Sequence, residues 1–170
     1  MVNIIIGQAL GIIATALTFI SYQTNKKKIL LIIQTLATLC TCISFLFLGA
    51  TTGFALNIVC IIRNVVFYFW DKSSKLYVPS VVVLTIAMVV VGASAWQGYI
   101  SLLMIVALAV NTVFISIGVP QLLRKSILFT STLCIIYNIF VFSIGGIANE
   151  TISIISSVIG IMRYKGDSSK

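Results

Sequence analysis

Long apolar runs alternate with short polar breaks along the whole chain. The runs cover about 3–23, 29–48, 53–70, 76–95, 99–121, 126–145 and 147–164. Each approaches the ~20 residues that an α-helix needs to cross the apolar layer of a bilayer. The breaks fall at Thr24 to Lys28, Gly49 to Thr52, Asp71 to Lys75, Trp96 to Gly98, Leu122 to Lys125 and Gly145 to Glu150. The pattern predicts an all-α polytopic membrane protein with seven transmembrane helices. The seventh run, with Ser153, Ser156 and Ser157, is the least apolar, and the break before it is the weakest. The first run has no basic residue ahead of it, and its positive charges follow it. It is therefore expected to remain as a span and not to be cleaved as a signal.

Composition closes off the soluble alternatives. Of 170 residues, 60% are hydrophobic and 8% charged, where a soluble domain carries about 25% charged residues. Seven spans use ~140 residues and leave ~30 for loops and tails, so no soluble domain is expected. The chain has no histidine, and its acids are Asp71, Glu150 and Asp167. That removes serine–histidine triads and histidine metal sites and argues against paired-carboxylate chemistry. Cys40, Cys42, Cys60 and Cys134 all lie in apolar runs and form no CxxC pair, which fits small buried hydrophobes. The expectation is a protein that is not an enzyme and holds neither a metal nor a cofactor.

The net charge of +8 has a topological explanation. Lys26 to Lys28 follow the first run, Lys72 and Lys75 the third and Arg124 and Lys125 the fifth; Arg163, Lys165 and Lys170 close the seventh. With seven crossings, every Lys and Arg except Arg63 falls on one side, which the positive-inside rule makes cytoplasmic. The N-terminus is then outside and the C-terminus inside, with the lipid bilayer as partner and no nucleic acid. Tyr22, Trp70, Tyr77 and Tyr164 fall near the inner interface, and Trp96 and Tyr99 near the outer one.

The chain also repeats. Gln23, Lys26, Lys27, Ile29 and Leu30 align with Gln121, Arg124, Lys125, Ile127 and Leu128 at a constant offset of 98. The third run, from Gly53, aligns with the seventh, from Gly146, at an offset of 93. The unit is three helices, and the fourth run restores direction between the copies. The predicted plan is a 3+1+3 parallel repeat: a first three-helix bundle at 1–71, a linker helix at 72–97 and a second bundle with a short tail at 98–170. Parallel repeats are a transporter architecture, with solute held between the halves.

These features resemble the PQ-loop group, which includes the SWEET sugar transporters: the 3+1+3 plan carries the likeness, with Pro120-Gln121 closing the first helix of a repeat. Tyr22-Gln23-Thr24-Asn25-Lys26-Lys27 and Ile62-Arg63-Asn64 look more like the bacterial inner-membrane YgjV-type branch. The resemblance covers nearly the whole chain. It implies a bacterial inner-membrane location and movement of a small polar solute, anionic ones included, by alternating access. It also implies a hinge at Pro120 and Gln121, with Tyr22 and Gln23 as the counterparts in the first repeat. Tyr22 stands where the group's pattern has proline, so only the second repeat keeps the helix-weakening residue. SWEET-type proteins contact substrate through an asparagine on the third helix, which the resemblance carries to Asn64 and its repeat mate Ser157.

The residues themselves add candidates. Asn57 and Asn64 are seven apart and share a helical face. Gln8, Thr15, Thr18 and Tyr22 form another polar stripe, and Asn111, Thr112, Ser131 and Asn138 sit mid-run; such groups also serve simply as bonds between helices. Arg63 lies mid-span, at a cost of ~2.5–3.5 kcal/mol on insertion scales. With Asp71 and Glu150 expected at membrane edges, no acid stands inside a span to pair with it. Arg63 either faces the interior and binds an anionic solute, or snorkels ~10 Å to the inner surface. The rival to a transporter is a membrane receptor or assembly partner that holds a ligand in the same cavity. Two fused repeats let a monomer suffice, and a homo-oligomer stays open.

Overall fold

The computed structural model describes residues 2–22, 27–70, 74–117 and 120–163. They form seven helices: α1 (Val2–Tyr22), α2 (Lys27–Phe47), α3 (Thr51–Phe69), α4 (Tyr77–Ser94), α5 (Ile100–Ile117), α6 (Pro120–Phe140) and α7 (Ile144–Arg163). Five of them, α1, α3, α4, α5 and α7, are long and apolar enough to cross a membrane, and α2 carries a shorter apolar stretch, Leu31–Phe47.

Two boundaries differ from the sequence pattern. Pro120 opens α6 instead of closing α5. A proline tolerates the first helical position because its missing amide hydrogen has no partner there anyway. The break before α7 falls at Val141 to Ser143, not at Gly145 to Glu150. Glu150 therefore lies nearly two turns inside α7, not in the break before it. Gly145 and Gly146 looked like a loop signal. They stand in the helix instead, where glycine lets a neighbour approach closely.

The helices close a ring. Neighbours in the chain pack as α1 on α2, α2 on α3, α5 on α6 and α6 on α7; α1 meets α7 and α3 meets α5 to complete it. Helix α4 packs on α3 and α5 from outside. Its outer face is unbroken hydrocarbon, with Val78, Val82, Val83, Ile86, Val89 and Val90 exposed, as a lipid-facing surface requires. The buried core is assembled from α2 to α6 and includes Phe45, Leu56, Phe67, Met88, Met104 and Tyr137.

The turn after α2 and the turn after α6 are built alike. After α2, Gly49 N–H donates to Leu46 O (3.2 Å) and Ala50 N–H to Phe45 O (2.9 Å). After α6, Phe142 N–H donates to Ile139 O (3.2 Å) and Ser143 N–H to Asn138 O (2.9 Å). Both are Schellman caps with a left-handed residue, Gly49 at φ 72 and Phe142 at φ 54. All four donors and acceptors correspond at the offset of 93 seen in the sequence.

Candidate functional site

Helix α3 is the most deeply set of the helices that can cross a membrane, and it carries the polar candidates. Asn57, Arg63 and Asn64 are all buried, Arg63 at 6% exposure. The Arg63 side chain does not run out to the surface. Its Nη1 donates to Thr112 Oγ1 of α5 (3.2 Å), and its Nε and Nη2 donate to Asn64 Oδ1 (3.3 and 3.1 Å). Thr112 is wholly buried and passes its own hydroxyl proton to Leu108 O (2.8 Å). Adjacent positions on a helix are ~100° apart, yet the long arginine bends back onto its neighbour. Arg63 and Asn64 thus form one group at the α3/α5 junction.

The electrostatics of this group are one-sided. A guanidinium has five N–H donors, and both residues that hold it, Asn64 and Thr112, are neutral. Among the described residues no carboxylate pairs with it. A buried cation without a counter-ion is costly, and an anion placed here gains both charge and unused donors. The Oδ1 of Asn111, next to Thr112 on α5, is buried without a partner.

The other candidates scatter. Asn57 donates to Gly53 O of its own helix (2.7 Å). Ser157 is buried on α7, away from the Arg63 group in the bonding pattern. The side chains of Tyr22, Pro120 and Gln121, and Gln23 as a whole, lie outside the described residues. A groove of about 300 Å³ between the start of α4 and the end of α5, lined by Tyr77, Val78, Val81, Val82 and Ser116, includes none of the predicted residues.

Three polar elements tie one end of the ring, and of them the sequence pattern singled out only Gln8, as part of a polar stripe. Gln8 of α1 donates to Phe142 O (2.6 Å) and accepts from Ile144 N–H (3.0 Å). Gln97, before α5, donates to Gly49 O (2.9 Å) and accepts from Thr52 N–H (3.2 Å). Each glutamine bridges one of the two Schellman turns. Thr52 Oγ1 also meets Ser101 Oγ (2.9 Å) and donates to Ala95 O, and Gly53 N–H donates to the Tyr137 hydroxyl (2.9 Å). All these contacts lie at the end opposite the basic segments. A clue to the clamps existed in the sequence, since Gln8 and Gln97 each stand shortly before or early in the first helix of a repeat. Reading it required knowing where the turns fell.

The acid stands within a helix, partly buried. Glu150 of α7 accepts from Asn149 Nδ2 (3.3 Å) and from the Ser131 hydroxyl of α6. The sequence placed it in a loop because the preceding glycines suggested a break.

Neither a search of curated proteins nor one of solved structures finds a match to this chain. The sequence profile of a family of bacterial inner membrane proteins, Imp-YgjV, matches residues 5–168. An all-helical chain with five helices able to cross a membrane accords with that description, and the protein belongs to the Imp-YgjV family of bacterial inner membrane proteins.

Proposed function

We propose that this protein is a transporter for a small polar solute, anionic solutes above all, and that the solute binds at the α3/α5 junction through Arg63, Asn64 and Thr112. The observation that carries the reading is a buried guanidinium held by neutral partners. Inside a bilayer such a charge is expensive, and it persists where it serves a pathway or a ligand.

The architecture we infer is seven crossings in a 3+1+3 parallel repeat of the PQ-loop and SWEET kind, with α1–α3 and α5–α7 as the two bundles and α4 as linker. Support comes from the ring order, in which α3 meets α5 as α7 meets α1, and from the two Schellman turns at one offset. The partition of the basic residues supports an N-terminus outside and a C-terminus in the cytoplasm. On this reading the clamps of Gln8 and Gln97 hold the outer end closed, and Arg63 lies on the cytoplasmic side of them. The protein works without enzymatic chemistry and is complete as a monomer.

The test is uptake by purified protein in liposomes, screened over sugars, amino acids and organic anions. Arg63→Ala should abolish uptake of anions and spare neutral solutes. Arg63→Lys should restore part of it, because a point charge replaces a fork of donors. Binding without uptake of any solute would replace the transporter by a receptor that uses the same group.

A further inference from the structure

Glu150 is unexplained by an anion site at Arg63. It stands on the face of α7 that carries Gly146 one turn earlier and Ser153 one turn later. Gly146 has no side chain, and the Asn138 amide of α6 fills that space. Asn138 is 2% exposed, and its Oδ1 has no hydrogen-bond partner. The Oδ1 of Asn149 is buried and unpartnered as well. A carboxyl group, two donors bonded to it and two orphaned acceptors thus gather on the α6/α7 contact.

We propose that Glu150 is a proton-binding site, and that its proton moves with the solute carried at Arg63. The surroundings suit both forms of the group. The ionised form only accepts, and Ser131 and the Asn149 amide nitrogen supply donors. The protonated form gains an O–H, and turning the Asn149 amide over presents its orphaned Oδ1 to that proton. The step is a simple association: a carboxylate oxygen lone pair binds one proton, and no other bond breaks. Both groups bonded to Glu150 are neutral, so a proton is what removes the cost of an unpaired charge on a partly buried carboxylate.

The groups around it leave the proton to Glu150. Cys134 of α6 and Cys60 of α3 lie close enough to feel its charge. α1, which packs on α7, has no titratable side chain before Tyr22, its last residue. Arg63 stands one turn beyond Cys60 on α3 and bonds to Asn64 and Thr112. Glu150 is the seventh residue of α7 and Arg63 the thirteenth of α3, which sets Arg63 ~9 Å further toward the basic end. An anion at Arg63 and a proton at Glu150 would cross as a neutral sum.

The proton site itself does not depend on the transport reading; the coupling does. Infrared spectra of purified protein in lipid, titrated from mildly acidic to mildly alkaline pH, should show the carbonyl stretch of a protonated carboxyl, and Glu150→Gln should remove it. A Glu150→Gln protein with unchanged helix content and melting temperature keeps that comparison valid, and Glu150→Asp, which retains the acid, should shift the band without deleting it. No such band at any pH overturns the proposal. So does sodium-dependent thermal stabilisation that Glu150→Gln abolishes, which makes the site one for a metal cation. In liposomes, a one-unit inward pH gradient should drive about tenfold accumulation of an anionic solute at one proton per solute, and Glu150→Gln should lose it while retaining exchange of that solute. Uptake indifferent to the gradient overturns the coupling and leaves the transporter standing. A carboxyl band with no uptake of any solute keeps the proton site and removes the transporter.

Discussion

The ring closes at two junctions, and they are made of different material. Where α1 meets α7, backbone lies on backbone: Gly11 and Gly145 face each other with no side chain between, and Thr15 Oγ1 donates to Gly145 O (3.0 Å). Where α3 meets α5, the seam is made of side chains. Arg63 spans it to Thr112, and α4 covers it from outside, with Gly92 of α4 set against Ile105 of α5 and Leu56 of α3. A glycine seam has one close-packed arrangement, whereas a seam of long side chains has several. The difference sets the buried polar side chains at α3/α5 and close backbone packing at α1/α7.

The largest effect should come from filling the glycine seam. A Cβ on Gly145 overlaps the Gly11 backbone, which cannot turn aside. Gly145→Ala should lower stability by about 1–3 kcal/mol, the usual range for overpacking. Gly92→Ala, on α4, meets Cγ1 and Cδ1 of the Ile105 side chain and no backbone within the same distance, and should cost less. Thermal unfolding in one detergent ranks the two. Equal losses would mean that the side-chain contact of α4 over the α3/α5 seam is as rigid as the glycine seam.

The next effect concerns charge. Arg63→Met keeps the length of the side chain and removes a buried cation with neutral partners. Exchanging buried ionic groups for apolar ones is often neutral or stabilising by ~1–4 kcal/mol, so the variant should unfold no lower than the parent while anion uptake disappears. A marked loss of stability would make Arg63 a structural strut, with Thr112 and Asn64 depending on its donors.

Much of this was legible in the chain, and the failures have physical causes. Apolar length gave all seven helices, five of which are long and apolar enough to cross a membrane. Arg63, Asn64 and Asn57 were found as polar positions inside apolar runs, and the structure buries all three. Periodicity could not say that Arg63 and Asn64 join, because a long side chain is not confined to the direction of its Cα–Cβ bond. Glu150 was misplaced because Gly145 and Gly146 carry the signature of a turn. Their role is to admit Gly11 and Asn138, partners more than a hundred residues away or on the preceding helix. The Schellman turn at Phe142 was missed because the position needs a left-handed residue and carries an aromatic one.

The two glutamine clamps sharpen the same comparison at the other end of the scale. Each holds a turn of one bundle from the neighbouring one, by bonds worth ~0.5–1.5 kcal/mol net. Gln8→Ala and Gln97→Ala should each lower stability by about 1 kcal/mol, and the double variant should lose the sum, since they sit on separate junctions. Cysteines placed at Tyr99 and Phe142 should label faster in both variants if the clamps close that end. A loss confined to Gln8→Ala would mean that only the glycine seam relies on its clamp.

The smallest effect has opposite signs in the two turns. Gly49 adopts φ 72 with nothing near it, so Gly49→Ala meets no clash and pays only for a left-handed backbone, about 1 kcal/mol. Phe142 already bears that strain at φ 54, and its ring is 81% exposed. Phe142→Gly relieves the backbone, but glycine frees the unfolded chain and returns part of the gain. The net stabilisation should be a few tenths of a kcal/mol. Phe142→Asn should gain more, because asparagine tolerates the left-handed region without glycine's entropy. If both substitutions at Phe142 destabilise as much as Gly49→Ala, the ring itself holds the turn. The bilayer surface would then be its partner, since no protein group covers most of it.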